Sequence, residues 1–236
     1  MNKKELVTKY RSLVAIGCTA FNCLTLLRRK VKGSGNRVAA PCALLRKVSV
    51  HISGSNNTLI IGDFSVLKGV SVYITGDNNT VTIGPWCHLN GTEICIEDSG
   101  NTVAVGEKTR FLGKTHLAAI EGTKIEIGRD CLFSGDVHFR TGDSHSVLDK
   151  DGHRINPSGD ITLGDHVWVG SKVTCLKGSR VAENSILAAC ALVTGQFEEP
   201  GCTLAGVPAK VVKRDVGWSI LRVPVGEIPA DFRKED

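Results

Sequence analysis

The chain has 236 residues, 42% of them hydrophobic, with a mean hydropathy near zero, so it can bury a core, though length alone does not choose between one large domain and two small ones. Aromatic residues are few (5%) and glycines many (26), which suits a narrow aliphatic interior with tight corners. The formal net charge of +5 (29 Lys and Arg against 24 Asp and Glu) gathers near the ends, and no aromatic residues interleave with the basic ones. That distribution favours anionic partners at defined places and argues against a nucleic-acid partner.

Residues 1–32 differ from the rest. An apolar run from Ser12 to Leu27 is flanked on both sides by Lys and Arg. It is shorter than the ~20 apolar residues that a spanning helix needs. Nor do its flanks have the small-residue pattern of a secretory cleavage site. The run is expected to form a helix that lies on an anionic membrane surface, or that packs against the body of the protein or a neighbouring copy.

From about Val48 a repeat begins. The pairs Ile61-Gly62, Ile83-Gly84, Val105-Gly106 and Ile127-Gly128 recur every 22 residues, and Asn57, Asn79 and Asn101 keep the same period. Within each unit the next apolar anchor follows six residues on: Leu67, Leu89, Phe111, Phe133. A 22-residue unit is therefore an 18-residue coil of three hexapeptides with four further residues at one corner. The recurring Asn is expected to form a ladder that satisfies backbone groups between coils and carries no chemistry.

The next glycine of the series, Gly164, comes 14 residues late, and the excess coincides with the stretch Gly142–Pro157. An insertion of this kind projects from a solenoid without disturbing the stack, and such loops commonly carry function. Beyond it, Leu163, Val169, Cys175, Val181, Leu187 and Val193 fall six apart without a slip. That spacing fits neither a helix nor an alternating strand, and it does fit a three-sided β-solenoid with one inward anchor per side. The nine cysteines are odd in number, several occupy repeat positions, and none has C-x-x-C or zinc-finger spacing. Free thiols in a reducing compartment, a cytoplasmic location and no metal site are the expectations.

The stretch ITLGDHVWVGSKVTCLKGSRVAENSILAACALVT, followed by AGVPAKVVKR, resembles the left-handed β-helix hexapeptide-repeat acyltransferases. It is most like the capsule and O-antigen polysaccharide O-acetyltransferases and the galactoside and maltose O-acetyltransferases. The resemblance is close over residues 138–214 and looser over the 22-residue repeats. It implies an all-β fold, a left-handed parallel β-helix forming a triangular prism, with a short N-terminal helical segment and an inserted active-site loop. The corresponding divisions are 1–47 (helical segment and linker), 48–214 (β-helix, with loop 142–157) and 215–236 (tail).

The same resemblance implies a homotrimer with active sites between subunits, acetyl-CoA as co-substrate, and a sugar or polysaccharide hydroxyl as acceptor. His145, sixteen residues before Ile161, matches the family's catalytic His, with His153 as its competitor. Asp143 is placed to orient the ring or to stabilise the turn. For the cofactor, the resemblance carries over Trp168, Gly170, Ser171, Ala189 and Thr194, with Lys210, Lys213 and Arg214 toward the CoA phosphates. If residues 1–32 seek the membrane, the location narrows to the inner face of the cytoplasmic membrane. Two other activities use the same prism: a sugar-nucleotide N-acetyltransferase, and a γ-carbonic anhydrase-like zinc protein. The latter needs three coil-matched histidines, which the spacing of 138, 145, 153 and 166 does not supply.

Overall fold

A computed structural model of the chain describes residues 3–25 and 28–230, with the side chains of residues 3 and 4 not described. The last two residues of the apolar N-terminal run (26–27) and the end of the tail (231–236) lie outside the described residues. Apart from two N-terminal helices, α1 (Lys3–Lys9) and α2 (Arg11–Leu24), the structure is built of short strands. These form three sheets of eight, eight and nine strands, in which strands pair in parallel with their equivalents one coil earlier and later, except that the last strand, Ala209–Lys213, joins the third sheet antiparallel. The chain visits sheet A, then B, then C, and returns to A one level up. The expected three-sided prism is what forms.

The six-residue anchors explain the packing. Leu163, Val169, Cys175, Val181, Leu187 and Val193 are all at most 2% exposed, and Leu67, Leu89, Phe111 and Phe133 continue the same core. The shortest strands turn one residue inward, whereas the longer strands of sheets A and B turn in two or more, such as Val50 with Ile52 and Leu59 with Ile61, so the six-residue anchors and these alternate positions together fill the prism. The glycines at the B/C corner (Gly62, Gly84, Gly106, Gly128 and Gly164) have a separate cause. A Cβ at Gly128 would come within 2.5 Å of the Gly164 carbonyl carbon on the next coil, so backbone-to-backbone stacking at the B/C corner excludes a side chain.

The Asn repeat lies at the A/B corner, fully buried at Asn57, Asn79 and Asn101. The amide N–H of Asn57 donates to Asn36 Oδ1 (2.9 Å), that of Asn79 to Asn57 Oδ1 (3.0 Å), and that of Asn101 to Asn79 Oδ1 (2.8 Å). Thr123 N–H ends the series on Asn101 Oδ1 (3.0 Å). Each side chain thus accepts the otherwise orphaned amide of the coil above it.

One feature departs from the sequence reading. The ladder and the stack begin earlier than Val48: Arg28–Lys32 pairs with Ser49–Ser53, and Arg37–Ala39 with Thr58–Ile61. Residues 28–47 therefore form a first coil where a linker was expected. Helix α2 packs on the prism, one of the arrangements expected of it. Asn22 Nδ2 donates to the Ala43 carbonyl (3.0 Å), Asn22 Oδ1 accepts from Leu45 N–H (2.8 Å), and Cys18 is buried. Arg11 reaches Asp63 with both Nε (2.6 Å) and Nη2 (3.2 Å). The opposite side of the helix, with Leu13, Ile16 and Leu24, is exposed. Among the described residues no helix is long and apolar enough to cross a membrane.

Replacing Asn79 by Ala strands the buried Asn101 amide and is expected to destabilise the prism by about 1–3 kcal/mol. Equilibrium denaturant unfolding checks this, and an Asn90→Ala change, at an exposed position, serves as the comparison.

Candidate active site

The inserted loop leaves the prism after the sheet A strand Val137–Arg140 and returns at the sheet B strand Ile161–Leu163, so it projects from the A/B corner. This is the corner that carries the Asn ladder. At the coil beneath the loop, Thr123 Oγ1 donates to Thr141 Oγ1 (2.6 Å), and Ile120 N–H donates to the same Thr141 oxygen (3.1 Å). The ladder passes from Asn to Thr where the chain must open outward.

Three side chains fix the base of the loop. Asp143 Oδ2 accepts from Lys177 Nζ (2.5 Å) and Asn156 Nδ2 (2.8 Å), which hold its carboxyl below the usual range, Lys177 first. Asn156 Nδ2 also donates to the His145 carbonyl (2.8 Å), and its Oδ1 accepts from Val147 N–H (2.8 Å). Glu121, one coil below, takes Arg154 Nη1 on Oε1 (2.5 Å) and Ser158 Oγ on Oε2 (2.7 Å). Loop residues on both sides of its tip are therefore tied to the prism or to each other.

His145 stands in this frame with its backbone fixed and its ring exposed, making no hydrogen bond among the described residues. The neighbouring Ser144 accepts from Arg140 Nη2 (3.2 Å) and donates to Glu97 Oε2 (3.3 Å), which seats the segment at the edge of sheet A. Asp143 is engaged by Lys177 and Asn156 and makes no hydrogen bond to the His145 ring in this chain. His153 lies at the loop tip, with its N–H on Asp149 Oδ1 (2.9 Å) and its Nδ1 3.5 Å from Asp149 Oδ2. It is part of a self-contained turn, and that separates it from His145.

The residues expected at the cofactor lie elsewhere on the prism. Trp168 points outward from sheet C and is 39% exposed. Gly170, Ser171 and Ala189 stack at the C/A corner, where Cys190 N–H donates to the Ser171 carbonyl (2.9 Å). Gly170 spends its N–H on the Leu187 carbonyl (2.8 Å), so it is not free to stabilise an oxyanion. A Cβ there would lie 2.7 Å from Ala189 N, so stacking requires the glycine. Thr194 follows the sheet A strand Leu192–Val193, on the far side of that face. Lys210 and Lys213 are exposed on Ala209–Lys213, an antiparallel strand at the C-terminal end of sheet C, and Arg214 Nε is paired with Glu199 (3.0 Å). The loop and the Ser171–Ala189 wall flank opposite edges of sheet A, a face whose strands are up to five residues wide, or about 17 Å. One chain does not bring them together.

The tail contributes Trp218, which belongs to no motif or repeat. Trp218 stacks on His166 (centroids 4.2 Å apart, 9° between planes) and is tilted against Trp168 at 6.2 Å. Trp218 Nε1 donates to the His166 carbonyl (2.8 Å), and His166 Nε2 donates to the Trp218 carbonyl (3.1 Å). His166 Nδ1 lies 3.2 Å from Asp130 Oδ2. The tail is thus strapped across the B/C corner and backs Trp168. Glu121, Asn156 and Lys177 belong to no motif either: apart from the Asn156–Arg154 contact, two residues apart, their partners at the loop base lie from 9 to 37 residues away and meet only after coiling.

No family model matches the chain. The polysialic acid O-acetyltransferase of Escherichia coli O1:K1 is 31% identical over 96 residues, which cover 40% of this chain and 30% of that protein. The galactoside O-acetyltransferase of Escherichia coli K12 is 36% identical over 69 residues, covering 29% of this chain and 32% of that one. These alignments span about a third of the relatives' lengths. Structural likeness extends further. The crystal structure of the polySia-specific acetyltransferase NeuO superposes with a TM-score of 0.74 at 30% identity, over 87% of this chain and 93% of that chain. The chain belongs to the left-handed β-helix hexapeptide-repeat acyltransferases. Within them, near-full-length likeness is also found to the polysialic acid O-acetyltransferase OatWY (TM-score 0.77, 27% identity, 86% of this chain and 95% of that one).

The Glu121 clasp has a defined pH dependence. Arg154, then Ser158, hold its carboxyl down at about 2, whereas a free Glu titrates near ~4.3. The clasp is complete at neutral pH and is lost only as pH falls from the free value through the folded one. Tryptic cleavage after Lys150 and Arg154 is therefore expected to be unchanged across neutral pH. Glu121→Gln, which removes the charge at every pH, is expected to raise it severalfold, as read by mass spectrometry of the fragments.

Proposed function

We propose that the chain is an acetyl-CoA-dependent O-acetyltransferase that moves an acetyl group to a hydroxyl of a sugar or surface polysaccharide, with His145 as general base. The observation that carries this is a solvent-open His held on a stiffened insertion of a prism that matches an acetyltransferase over nearly its whole length. A sugar hydroxyl is a weak nucleophile. An imidazole nitrogen within hydrogen-bond reach takes its proton as the oxygen attacks the thioester carbonyl. The tetrahedral intermediate then collapses, the C–S bond breaks, and the imidazolium returns the proton to the departing CoA sulfur. No covalent enzyme intermediate is needed when both substrates share one cleft.

In this reading Asp143 is a positioning residue, holding the loop base with Lys177 and Asn156. The donor lies along a wall of Trp168, Ser171, Ala189 and Thr194, with Lys210, Lys213 and Arg214 toward its phosphates; Gly170 keeps that wall closely stacked. Because the loop and the Ser171–Ala189 part of the wall occupy different edges of the prism, the site is composed between copies, in a homotrimer where the loop of one prism faces that part of the wall on the next. Cyclic assembly supplies that arrangement at every interface. The exposed Leu13, Ile16 and Leu24 of α2, beside the basic strand Arg28–Lys32, support a peripheral contact with the inner face of the cytoplasmic membrane. Co-sedimentation with anionic vesicles, lost on Ile16→Ser and Leu24→Ser, tests that contact.

His145→Ala is expected to bind acetyl-CoA as wild type does, by calorimetry, while losing acetyl transfer by roughly 10²–10⁴-fold, as read by mass spectrometry across a glycan panel. Unaltered transfer by this variant contradicts the assignment of the base. Failure of wild type to bind acetyl-CoA contradicts the transferase reading itself.

A further inference from the structure

Below the loop, the outer side of sheet A carries a second group of reactive side chains. Glu93 and Cys95 stand two residues apart on the strand Thr92–Ile96, so they point the same way. His116, on the next strand, is in register with Glu93. Its Nδ1 is 3.0 Å from Glu93 Oε2, and a carboxylate oxygen, the Cys95 sulfur and a ring nitrogen all lie within 4.8 Å of one another. The register partner of Cys95 is Ala118, in a column that elsewhere holds Tyr73 and Arg140. The short methyl leaves the thiol open toward the imidazole. One coil higher, His138 is in register with His116, their rings 5.9 Å apart.

Glu93, His116 and His138 line a cleft of about 480 Å³. Thr92 lines it too, 1% exposed and with its hydroxyl lacking a hydrogen-bond partner among the described residues. Glu93, Asp136 and nearby Glu97 offset the positive charge of Lys114 and Arg140 around the cleft.

We propose that Glu93, Cys95 and His116 form a binding site for a zinc-class divalent ion, with water or His138 as the fourth ligand. Zinc takes thiolate, imidazole and carboxylate at about 2.0–2.3 Å in a tetrahedron, which places the donor atoms roughly 3.3–3.8 Å apart. One pair here is slightly inside that separation, and the sulfur reaches it by side-chain rotation. A thiolate and an imidazole together favour zinc or cobalt over magnesium or calcium. Burial, then Glu93 and Glu97, push the Cys95 thiol up to about 11, so the empty site holds S–H. On binding, the S–H bond breaks, the proton leaves to water and an S–metal bond forms, so affinity falls as the solution is acidified.

The site does not rest on the transferase reading, and its test needs no acetyl transfer. Co²⁺ is titrated into the reduced full-length protein, and the thiolate-to-cobalt charge-transfer absorbance is followed. Wild type is expected to take up one ion per chain with that band, and Zn²⁺ to displace it. Cys95→Ser is expected to lose the band although eight other cysteines remain. Glu93→Gln is expected to weaken binding by roughly tenfold or more. All three positions lie on the outside of the prism, and circular dichroism checks that the variants fold. Absence of the band in wild type overturns the proposal, leaving Glu93 and His116 as a simple hydrogen-bonded pair. An undiminished band in Cys95→Ser overturns it as well.

Discussion

Coil-on-coil register is the constraint on which the rest of this structure depends. A parallel solenoid gains its core only if equivalent residues stack, and a slip of one residue would turn every anchor outward. The buried Asn series fixes that register at one corner, where each Oδ1 accepts the next coil's amide at 2.8–3.0 Å. At another corner, glycine against glycine leaves no space for a side chain. Both devices act through the backbone, so the outward residues of each face are free to vary. That freedom lets one prism carry a helix-docking edge, a polar cleft and an aromatic wall.

The insertion obeys the same constraint. It enters at the A/B corner, where turns of four residues already interrupt the hexapeptide rhythm, and the Thr123–Thr141 hydroxyl pair replaces the Asn contact at that level. Strand pairing resumes across the gap, with Ile125–Ile127 in register with Ile161–Leu163. The loop therefore hangs on an undisturbed stack. Glu121, Lys177 and Asn156 then immobilise its base and leave the His145 ring outward. Rigidity at the base and exposure of the ring are what a general base facing a second molecule requires.

Much of this was legible in the sequence, because a period is a local signal that repeats. The 22-residue spacing of Ile-Gly and Asn, the six-residue anchors and the late arrival of Gly164 located the prism, its ladder and its loop. The first coil was less legible: Arg29 stands where the next coil has Val50, and Arg28, Lys30, Lys32 and Arg37 crowd the outward positions that the next coil fills with Ser, His and Thr. Only Asn36, 21 residues before Asn57, marks it. Asp143 illustrates a second limit, since its partner Lys177 is 34 residues away and no motif links them. His116 and His138 were detectable, being one 22-residue period apart. Trp218 had no signal at all, because the tail follows the last coil and its contact with His166 is set by a crossing outside the repeat.

The central claim is that the reactive His and the donor wall belong to different chains of one assembly. Mixed oligomers test it most directly: His145→Ala and Trp168→Ala chains are unfolded together, refolded, and assayed for acetyl transfer beside each variant refolded alone. If the site is composite, random mixing restores intact loop-and-wall pairs at roughly a quarter of the interfaces, and activity returns from two inactive parents. If loop and wall serve the same chain's site, every site in the mixture carries one defect. Activity that stays at the level of the parents would contradict the account.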